Sequence, residues 1–355
     1  MHQTVPNFFS HKFFLFLNRP RLFNSLFMTT QTLPRAFVWR RLHSLMGLWL
    51  VLFLMEHLLT NSQAALLLGD NARGFVNAVN WLHNLPYLQA IEIFLLGVPI
   101  LIHLVWGIMY LFTSKPNSWP SDGTKPSLNY SRNHAYTWQR ITSYILAVAL
   151  IGHIVKFRFL EYPWSVNEGQ TSTYFVRVSI DKGLYTVADR LGVSLYDEKA
   201  IENEKNELQR RSGEQAFVDV AEKVQETPVY DTQAAMLLTS AQKFEQKKQW
   251  VAMLEKKPIT SSEVIAASPD FGTATLLTVR DTFKSPLYVA LYTIFVLAAC
   301  FHAFNGLWTF LITWGIVLNM ASQKWSVKFV VGLMLLVTFL GLAAVWGTYW
   351  LNLKT

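Results

Sequence analysis

The hydrophobic positions of this chain gather into five long runs, each sufficient to cross the hydrocarbon core of a bilayer, which needs roughly 20 residues of helix. The runs that predict membrane spans are 42–60, 88–112, 137–160, 287–318 and 327–351. The fourth run is long for a simple span, which indicates a helix that tilts or projects from the bilayer. Since the number of spans is odd, we expect the two ends of the chain on opposite faces of the membrane.

The sequence between the third and fourth spans is polar instead. Residues 162–282 hold 18 acidic and 14 basic side chains. Alternating apolar and polar positions at 173–180 and 274–279 predict β-strands. The charge density of 198–225 and 232–256 is typical of solvated helices. We therefore predict a small α+β domain outside the membrane, and it contains no catalytic motif.

These patterns divide the chain into four parts. They are an N-terminal extension at 1–34, membrane helices 1–3 at 35–161, an extramembrane insert at 162–284, and membrane helices 4 and 5 at 285–355. The extension lacks a small-residue cleavage site, which argues against a signal peptide. Met28 lies just before the first span, so a start at Met28 and a genuine extension remain as two interpretations. The predicted fold class is an all-α membrane protein with five transmembrane helices and an α+β insert between helices 3 and 4.

The distribution of charge gives the orientation. The chain is 52% hydrophobic with a net charge of +8, and outside 162–282 it has 17 basic residues against 5 acidic ones. Lysine and arginine in short loops resist translocation, so the segments that carry them are cytoplasmic. The basic residues in these segments are Lys12, Arg19, Arg21, Arg35, Arg40, Arg41, Lys115, Lys125, Arg132, Lys324 and Lys328. We expect a cytoplasmic N-terminus, an insert on the outer side, and a positive charge that reflects contact with lipid, with no nucleic-acid partner.

Four of the nine histidines lie inside apolar spans, one on each of the first four: His57, His103, His153 and His302. An ionisable side chain in hydrocarbon is costly and usually marks a working site. Each lies roughly 16 residues beyond the start of its helix, which is about 24 Å into a core of about 30 Å. Because consecutive helices run in opposite directions, His57 and His153 approach the outer face, while His103 and His302 approach the inner face.

Two facing imidazoles at one depth are the axial ligand set of a low-spin b-type haem, and helix bundles build such sites from facing side chains. The pattern therefore predicts a bundle that binds two haems b and moves electrons across the membrane. Cys300 is the single cysteine, which excludes a disulfide framework and an iron–sulfur cluster held by this chain alone. The alternative is a haem-free transporter or assembly factor that uses the histidines structurally or for proton transfer.

Two further polar residues lie on the same helix faces. His43 precedes His57 by 14 residues, about 40° away around the helix, where it could bind a propionate of the inner haem. The alternative is an interfacial histidine that follows two arginines. Glu92 precedes His103 by 11 residues, which aims its carboxyl group towards the outer haem, where it could carry protons to or from a quinone. Pairing with another buried polar group is the alternative for Glu92.

Short stretches around these histidines occur in a specific order and spacing over residues 35–161 and 285–352. They are RRLHS at 40–44 with Gly47, EHL at 56–58, LP at 85–86, IEIF at 91–94, His103 with Gly107, WQRIT at 138–142, His153, FHAFNGLW at 301–308 and TWG at 313–315. In these stretches the sequence resembles the single-chain, five-helix, dihaem cytochrome b subunit of succinate:quinone oxidoreductases, the succinate dehydrogenase cytochrome b558 type.

The resemblance implies a function and partners. In that family the first and third helices bind the distal haem and the second and fourth bind the proximal one, which agrees with the depths inferred above. A flavoprotein subunit would oxidise succinate in the cytoplasm, an iron–sulfur subunit would reduce the inner haem, and the outer haem would reduce menaquinone. This chain would be a membrane anchor and electron conduit in a bacterial inner membrane. A quinol:fumarate reductase subunit running in reverse is an alternative, and the order of the matches disfavours a hydrogenase or formate dehydrogenase cytochrome b.

The sequence departs from that family in two places. The outer region between helices 3 and 4 is much longer than in the compact members. Near Leu85 and Pro86, where related proteins can place an acid for quinone protonation, this chain has His83 and Asn84. His83 could exchange protons itself. The alternative is a loop histidine near the surface.

Overall fold

The computed structural model describes residues 33–66, 70–113, 117–120, 123, 127–168, 171–213 and 232–354. The possible start at Met28, the loop lysines Lys115 and Lys125, and the second half of the helical stretch expected at 198–225 lie outside these residues. The chain divides into two compact units, Met1–Leu42 and His43–Thr355. In the first unit, the Arg41 guanidinium stacks over the Phe37 ring at 5.0 Å, one helical turn away.

Ten helices are described. They are α1 (Arg35–Ser62), α2 (Arg73–His83), α3 (Leu88–Tyr110), α4 (Ser131–Leu160), α5 (Leu184–Leu191), α6 (Glu198–Gly213), α7 (Thr232–Leu254), α8 (Phe271–Thr282), α9 (Pro286–Thr313) and α10 (Met320–Lys354). Within the described ranges, α1, α3, α4, α9 and α10 are the helices long and apolar enough to cross a membrane. Their number and order match the five spans expected from the sequence.

The fourth span is shorter than expected. The apolar run continues to residue 318, but α9 ends at Thr313 because Gly315 adopts a left-handed backbone with φ of 72°. Asn319 then caps α10 by accepting a hydrogen bond from the Ser322 backbone, and Ser322 bonds back to Asn319 in a reciprocal capping box. The extra apolar residues therefore form a tight turn between two spans.

The insert between α4 and α9 is built on a four-stranded antiparallel sheet. Its strands are β1 (Trp164–Glu168), β2 (Thr171–Ser179), β3 (Ser194–Tyr196) and β4 (Glu263–Ser268), in the order β1-β2-β4-β3. Alternate residues of the central strands enter two apolar clusters, so both faces of the sheet are covered. Val176 packs with Leu184 and Leu277 on one face, and Phe175 packs with Leu254 on the other.

One of the two strands predicted in the insert, at 274–279, was wrong. Residues 274–279 lie in helix α8, which Asp270 caps by accepting a hydrogen bond from the Thr273 backbone at 2.8 Å. The β-branched alternation of this stretch is overridden because both Ala274 and Leu277 are buried against the sheet. The strand that was not predicted is β4. Its residues are buried almost continuously, so its sequence has no alternation of apolar and polar positions. The strand expected at 173–180 and the helix expected at 232–256 are confirmed as β2 and α7.

Helix α2, in the first connection, attaches to the insert. Asn80 donates to the Asp270 carboxylate at 2.8 Å and accepts from the Gly272 backbone at 2.7 Å. A Cβ atom at position 272 would lie 2.5 Å from the Val76 carbonyl oxygen, so only glycine permits this approach. The first and third connections therefore form one packed structure.

Helix α3 contains a π-helical segment, Ile93–Gly97, followed closely by Pro99. Pro99 has no N–H group to donate to the carbonyl of Leu95, four residues earlier. The Trp49 indole N–H donates to that carbonyl instead, at 2.6 Å. In a hydrocarbon environment such a replacement is required, because no water can satisfy the freed oxygen. A second π-helical segment, Val155–Leu160, ends α4.

An ion cluster joins the sheet to the end of α8. Arg280 donates two hydrogen bonds to the two carboxylate oxygens of Asp181, each 2.7 Å, and Lys284 approaches the same carboxylate at 2.6 Å. Lys284 also donates to the Ser179 carbonyl. Burial by itself would raise the pKa of Asp181, but the hydrogen bonds and charges of Arg280 and Lys284 outweigh it and lower that pKa below the usual value.

We expect Asp181→Asn to destabilise the insert by about 1–3 kcal/mol at neutral pH, because the variant removes the carboxylate charge that two partly buried cations, Arg280 and Lys284, share. Hydrogen exchange of insert peptides in the full-length protein measures this. Since the folded-state pKa is depressed, the Asp181 contribution is complete above about pH 4 and is lost as the pH falls further. The exposed Asp189→Asn is the matched control. Equal exchange in both variants would contradict the assignment.

Candidate functional site

The four histidines of the membrane spans meet in two pairs. The rings of His57 on α1 and His153 on α4 have centroids 5.9 Å apart and planes at 85°. The rings of His103 on α3 and His302 on α9 have centroids 6.2 Å apart and planes at 81°. The structure thus brings together the residues that the sequence grouped by depth. All four rings are half-buried.

In each of these rings the Nδ1 atom faces a polar partner. The partners are Asn61 Nδ2 for His57 at 3.5 Å, Tyr292 Oη for His153 at 3.2 Å, the His43 carbonyl for His103 at 3.1 Å, and the Gln139 carbonyl for His302 at 3.2 Å. A ring that donates Nδ1–H to a carbonyl keeps its lone pair on Nε2. Among the described residues, no hydrogen bond involves the Nε2 atom of these four rings. In His103 and His302, whose Nδ1 atoms face carbonyls, Nε2 is therefore the atom able to bind a metal, with Nδ1 held as in known metal–histidine sites. In His57 the Asn61 amide group donates to Nδ1, which accepts, and the Tyr292 hydroxyl can take either role towards His153 Nδ1.

The spacing within each pair is that of two imidazoles that share one metal ion. No group of three or more His, Cys, Asp or Glu side chains in the described part of the chain could hold a metal ion by itself. Two imidazoles suffice when a macrocycle supplies the other ligands. Metal–nitrogen bonds of about 2 Å on opposite sides of one iron place the ring centroids about 6 Å apart. The observed separations of 5.9 and 6.2 Å agree with that spacing.

His43 lies beside the inner pair. Its ring stacks on His103 with centroids 4.0 Å apart and planes at 12°. Its Nδ1 atom is buried and makes no hydrogen bond within the described structure. Gly47, one turn further along α1, makes room for the same ring, because a Cβ atom there would lie 3.0 Å from His103 Cε1. His43 therefore lies in contact with a candidate ligand, while its role towards a propionate stays a prediction.

A chain of amides supports His302. Gln139 Nε2 donates to the His302 carbonyl at 3.0 Å, and Asn305 Nδ2 donates to Gln139 Oε1 at 2.8 Å. Neither amide was predicted to belong to the site, although a polar side chain inside an apolar span often marks one. Together they fix α4 against α9 beside the inner pair.

A second cluster lies where α3 begins and α4 ends. Arg158 forms an ion pair with Glu92 at 2.6 Å, so pairing with another polar group, one of the two interpretations of Glu92, is observed. The His83 ring stacks on Phe271 with centroids 3.8 Å apart, and its Nε2 lies 3.3 Å from the Tyr174 hydroxyl. Burial lowers the pKa of His83, and the positive charge of Arg158 lowers it further. His83 is the last residue of α2, and its half-buried ring contacts two residues of the insert.

The contacts of Arg158 and Tyr174 were not predicted from the sequence. Arg158 follows an apolar span, where a basic residue is ordinarily an interfacial anchor. Tyr174 lies 91 residues from His83 along the chain, and its contact depends on how the insert folds.

Five apolar helices carrying two histidine pairs define a multi-pass membrane protein with candidate metal-binding sites in its bundle. The chain is 34% identical over 125 residues to a curated relative, the succinate dehydrogenase cytochrome b558 subunit of Bacillus subtilis (strain 168). The match covers 35% of this chain and 56% of the relative, so the chain spans little more than half the length of that protein. No family model matches the chain, and no solved structure matches it at a significant level.

Proposed function

We propose that this chain is the membrane anchor and dihaem cytochrome b subunit of a succinate:quinone oxidoreductase, respiratory complex II. The observation that carries the proposal is the meeting of four histidines, from four different spans, in two pairs with the separation of axial haem ligands. The Bacillus subtilis relative, which is named as such a subunit, supports it.

Each residue then has a defined task. His57 and His153 hold the outer haem, and His103 and His302 hold the inner one. Two haems b would supply two one-electron carriers in series across the bilayer. The hydrogen bonds to Nδ1 orient the imidazoles and tune how strongly they bind iron. His43 bonds a propionate of the inner haem.

The partners follow from the orientation of the chain. With the basic loops on the cytoplasmic side, the inner pair lies towards the iron–sulfur subunit, which receives electrons from the flavoprotein subunit. Succinate is oxidised on the flavoprotein and not on this chain. The insert lies on the outer side of a bacterial inner membrane. Co-purification with a flavin-containing and an iron–sulfur subunit tests this assembly.

The cluster of His83, Glu92, Arg158 and Tyr174, where α3 begins and α4 ends, serves the quinone. Reduction of menaquinone to the quinol takes up two electrons and two protons, so groups that exchange protons are needed near the outer haem. His83 and Glu92 are such groups. Arg158 forms an ion pair with Glu92, and its charge lowers the pKa of His83. Arg158 positions the Glu92 carboxyl group, while Tyr174 and Phe271 fix the His83 ring. A quinol:fumarate reductase would use the same residues in the opposite direction.

We expect His57→Ala or His153→Ala to remove the outer haem, and His103→Ala or His302→Ala to remove the inner one, since each haem loses an axial ligand. Optical redox titration of the purified complex measures this as the loss of one of two components. The exposed His134→Ala, on α4 outside both pairs, is the control and keeps both components. Absence of any haem band in the wild type would instead support the haem-free transporter.

Gly47→Ala should disturb the inner haem alone, because the new methyl group would press on His103 Cε1 at 3.0 Å. The expected result is a lowered occupancy or a shifted midpoint potential of the inner component, with the outer one unchanged. Gly332→Ala is the matched control, since a Cβ atom there meets no atom within 4 Å. If both substitutions behave alike, the contact between Gly47 and His103 does not shape the site.

Glu92→Gln and Arg158→Gln should each slow quinone reduction roughly tenfold or more, with haem content unchanged, because proton delivery is impaired. Steady-state quinone reductase activity, normalised to haem, measures this. Arg158→Gln should also raise the pKa of His83, which is lowered partly by the arginine charge, and so move the pH profile upwards. Glu161→Gln breaks the neighbouring ion pair with Lys156 and serves as the control. An equal loss in that variant would show a general structural effect.

A further inference from the structure

A cavity of about 420 Å³ opens between α4, α9 and α10, and none of the four paired histidines lines it. Its walls are almost entirely apolar, formed chiefly by Phe301, Phe304, Val327, Val330 and Met334. Cavities of this size in proteins commonly hold a small molecule. In a membrane helix bundle, an apolar cavity of this kind suits a hydrocarbon chain.

Two cations lie at the rim of this cavity. Arg132, near the start of α4, and Lys324, near the start of α10, both line it, and the lining includes no acidic residue. Neither cation forms an ion pair with Asp or Glu among the residues that the structure describes. The Arg132 guanidinium lies 5.3 Å from the centre of the Trp308 ring and donates to Gln323 Oε1, so its head is held at the rim. The cavity therefore joins a fixed positive rim to an apolar interior.

We propose that this cavity is a specific site for an anionic phospholipid, with an acyl chain in the apolar interior and the phosphate group bound by Arg132 and Lys324. Both parts of the ligand are needed to match the site. A quinone has an apolar tail but a neutral head that gains little from two cations, and a soluble anion has no chain to fill the interior. Basic pockets between membrane helices bind anionic lipid headgroups for this electrostatic reason.

The test counts lipids retained by the purified complex. The complex is reconstituted in nanodiscs of phosphatidylcholine with phosphatidylglycerol as the minor component, extracted into detergent, and its bound lipids are measured by mass spectrometry. We expect phosphatidylglycerol to be enriched in the wild type. The double variant Arg132→Gln, Lys324→Gln should reduce that enrichment roughly tenfold. Lys328→Gln, on the same helix but outside the lining, should leave it unchanged.

A second variant separates the interior from the rim. Val327→Trp fills part of the cavity and keeps both cations, so it should also reduce the retained phosphatidylglycerol. Equal retention of phosphatidylcholine and phosphatidylglycerol by the wild type would overturn the proposal, as would undiminished enrichment in the double variant. Retention of quinone in place of lipid, lost on Val327→Trp, would also overturn it. None of these readouts depends on haem, so the result stands apart from the proposed respiratory function.

Discussion

The free-energy cost of holding an imidazole inside hydrocarbon governs the organisation of this bundle. An unpartnered polar group in such surroundings costs several kcal/mol, so each ring needs a polar neighbour. For His103 and His302 the neighbour is a backbone carbonyl of another helix, provided by His43 and Gln139. These bonds run between spans, so they set which helices lie together. The bonds to Nδ1 of His103 and His302 therefore hold α1 beside α3 and α4 beside α9.

Much of the membrane part could be predicted because its signals are local. Hydropathy gives the spans, and the alternating direction of consecutive helices groups the histidines by depth. The prediction failed where local conformation interrupts an apolar run, as at Gly315, whose left-handed backbone ends α9 before residue 318. The strand predicted at 274–279 was wrong for a related reason. Its β-branched alternation is typical of a strand, but Asp270 caps a helix that includes these residues.

The parts of the site that escaped prediction are contacts between distant segments. Tyr174 reaches His83 only because Asn80 ties α2 to the cap of α8, and neither segment alone indicates that contact. In the sequence, Arg158 is typical of an interfacial anchor. The fold places the start of α3 beside it, where Glu92 forms the ion pair. Tertiary packing brings these partners together, and no local pattern in the sequence indicates that packing.

The position of the insert along the chain sets an order on the two histidine pairs. His57 and His153 both precede the insert, so both rings of this pair are present once α4 has been synthesised, and Tyr292 on α9 joins His153 later. His302 follows it, so the inner pair forms only after the insert and α9 have emerged. In a chain synthesised from its N-terminus, the two sites therefore mature one after the other. The His103–His302 pair forms last, with α9 bringing His302 to helices that have already been synthesised.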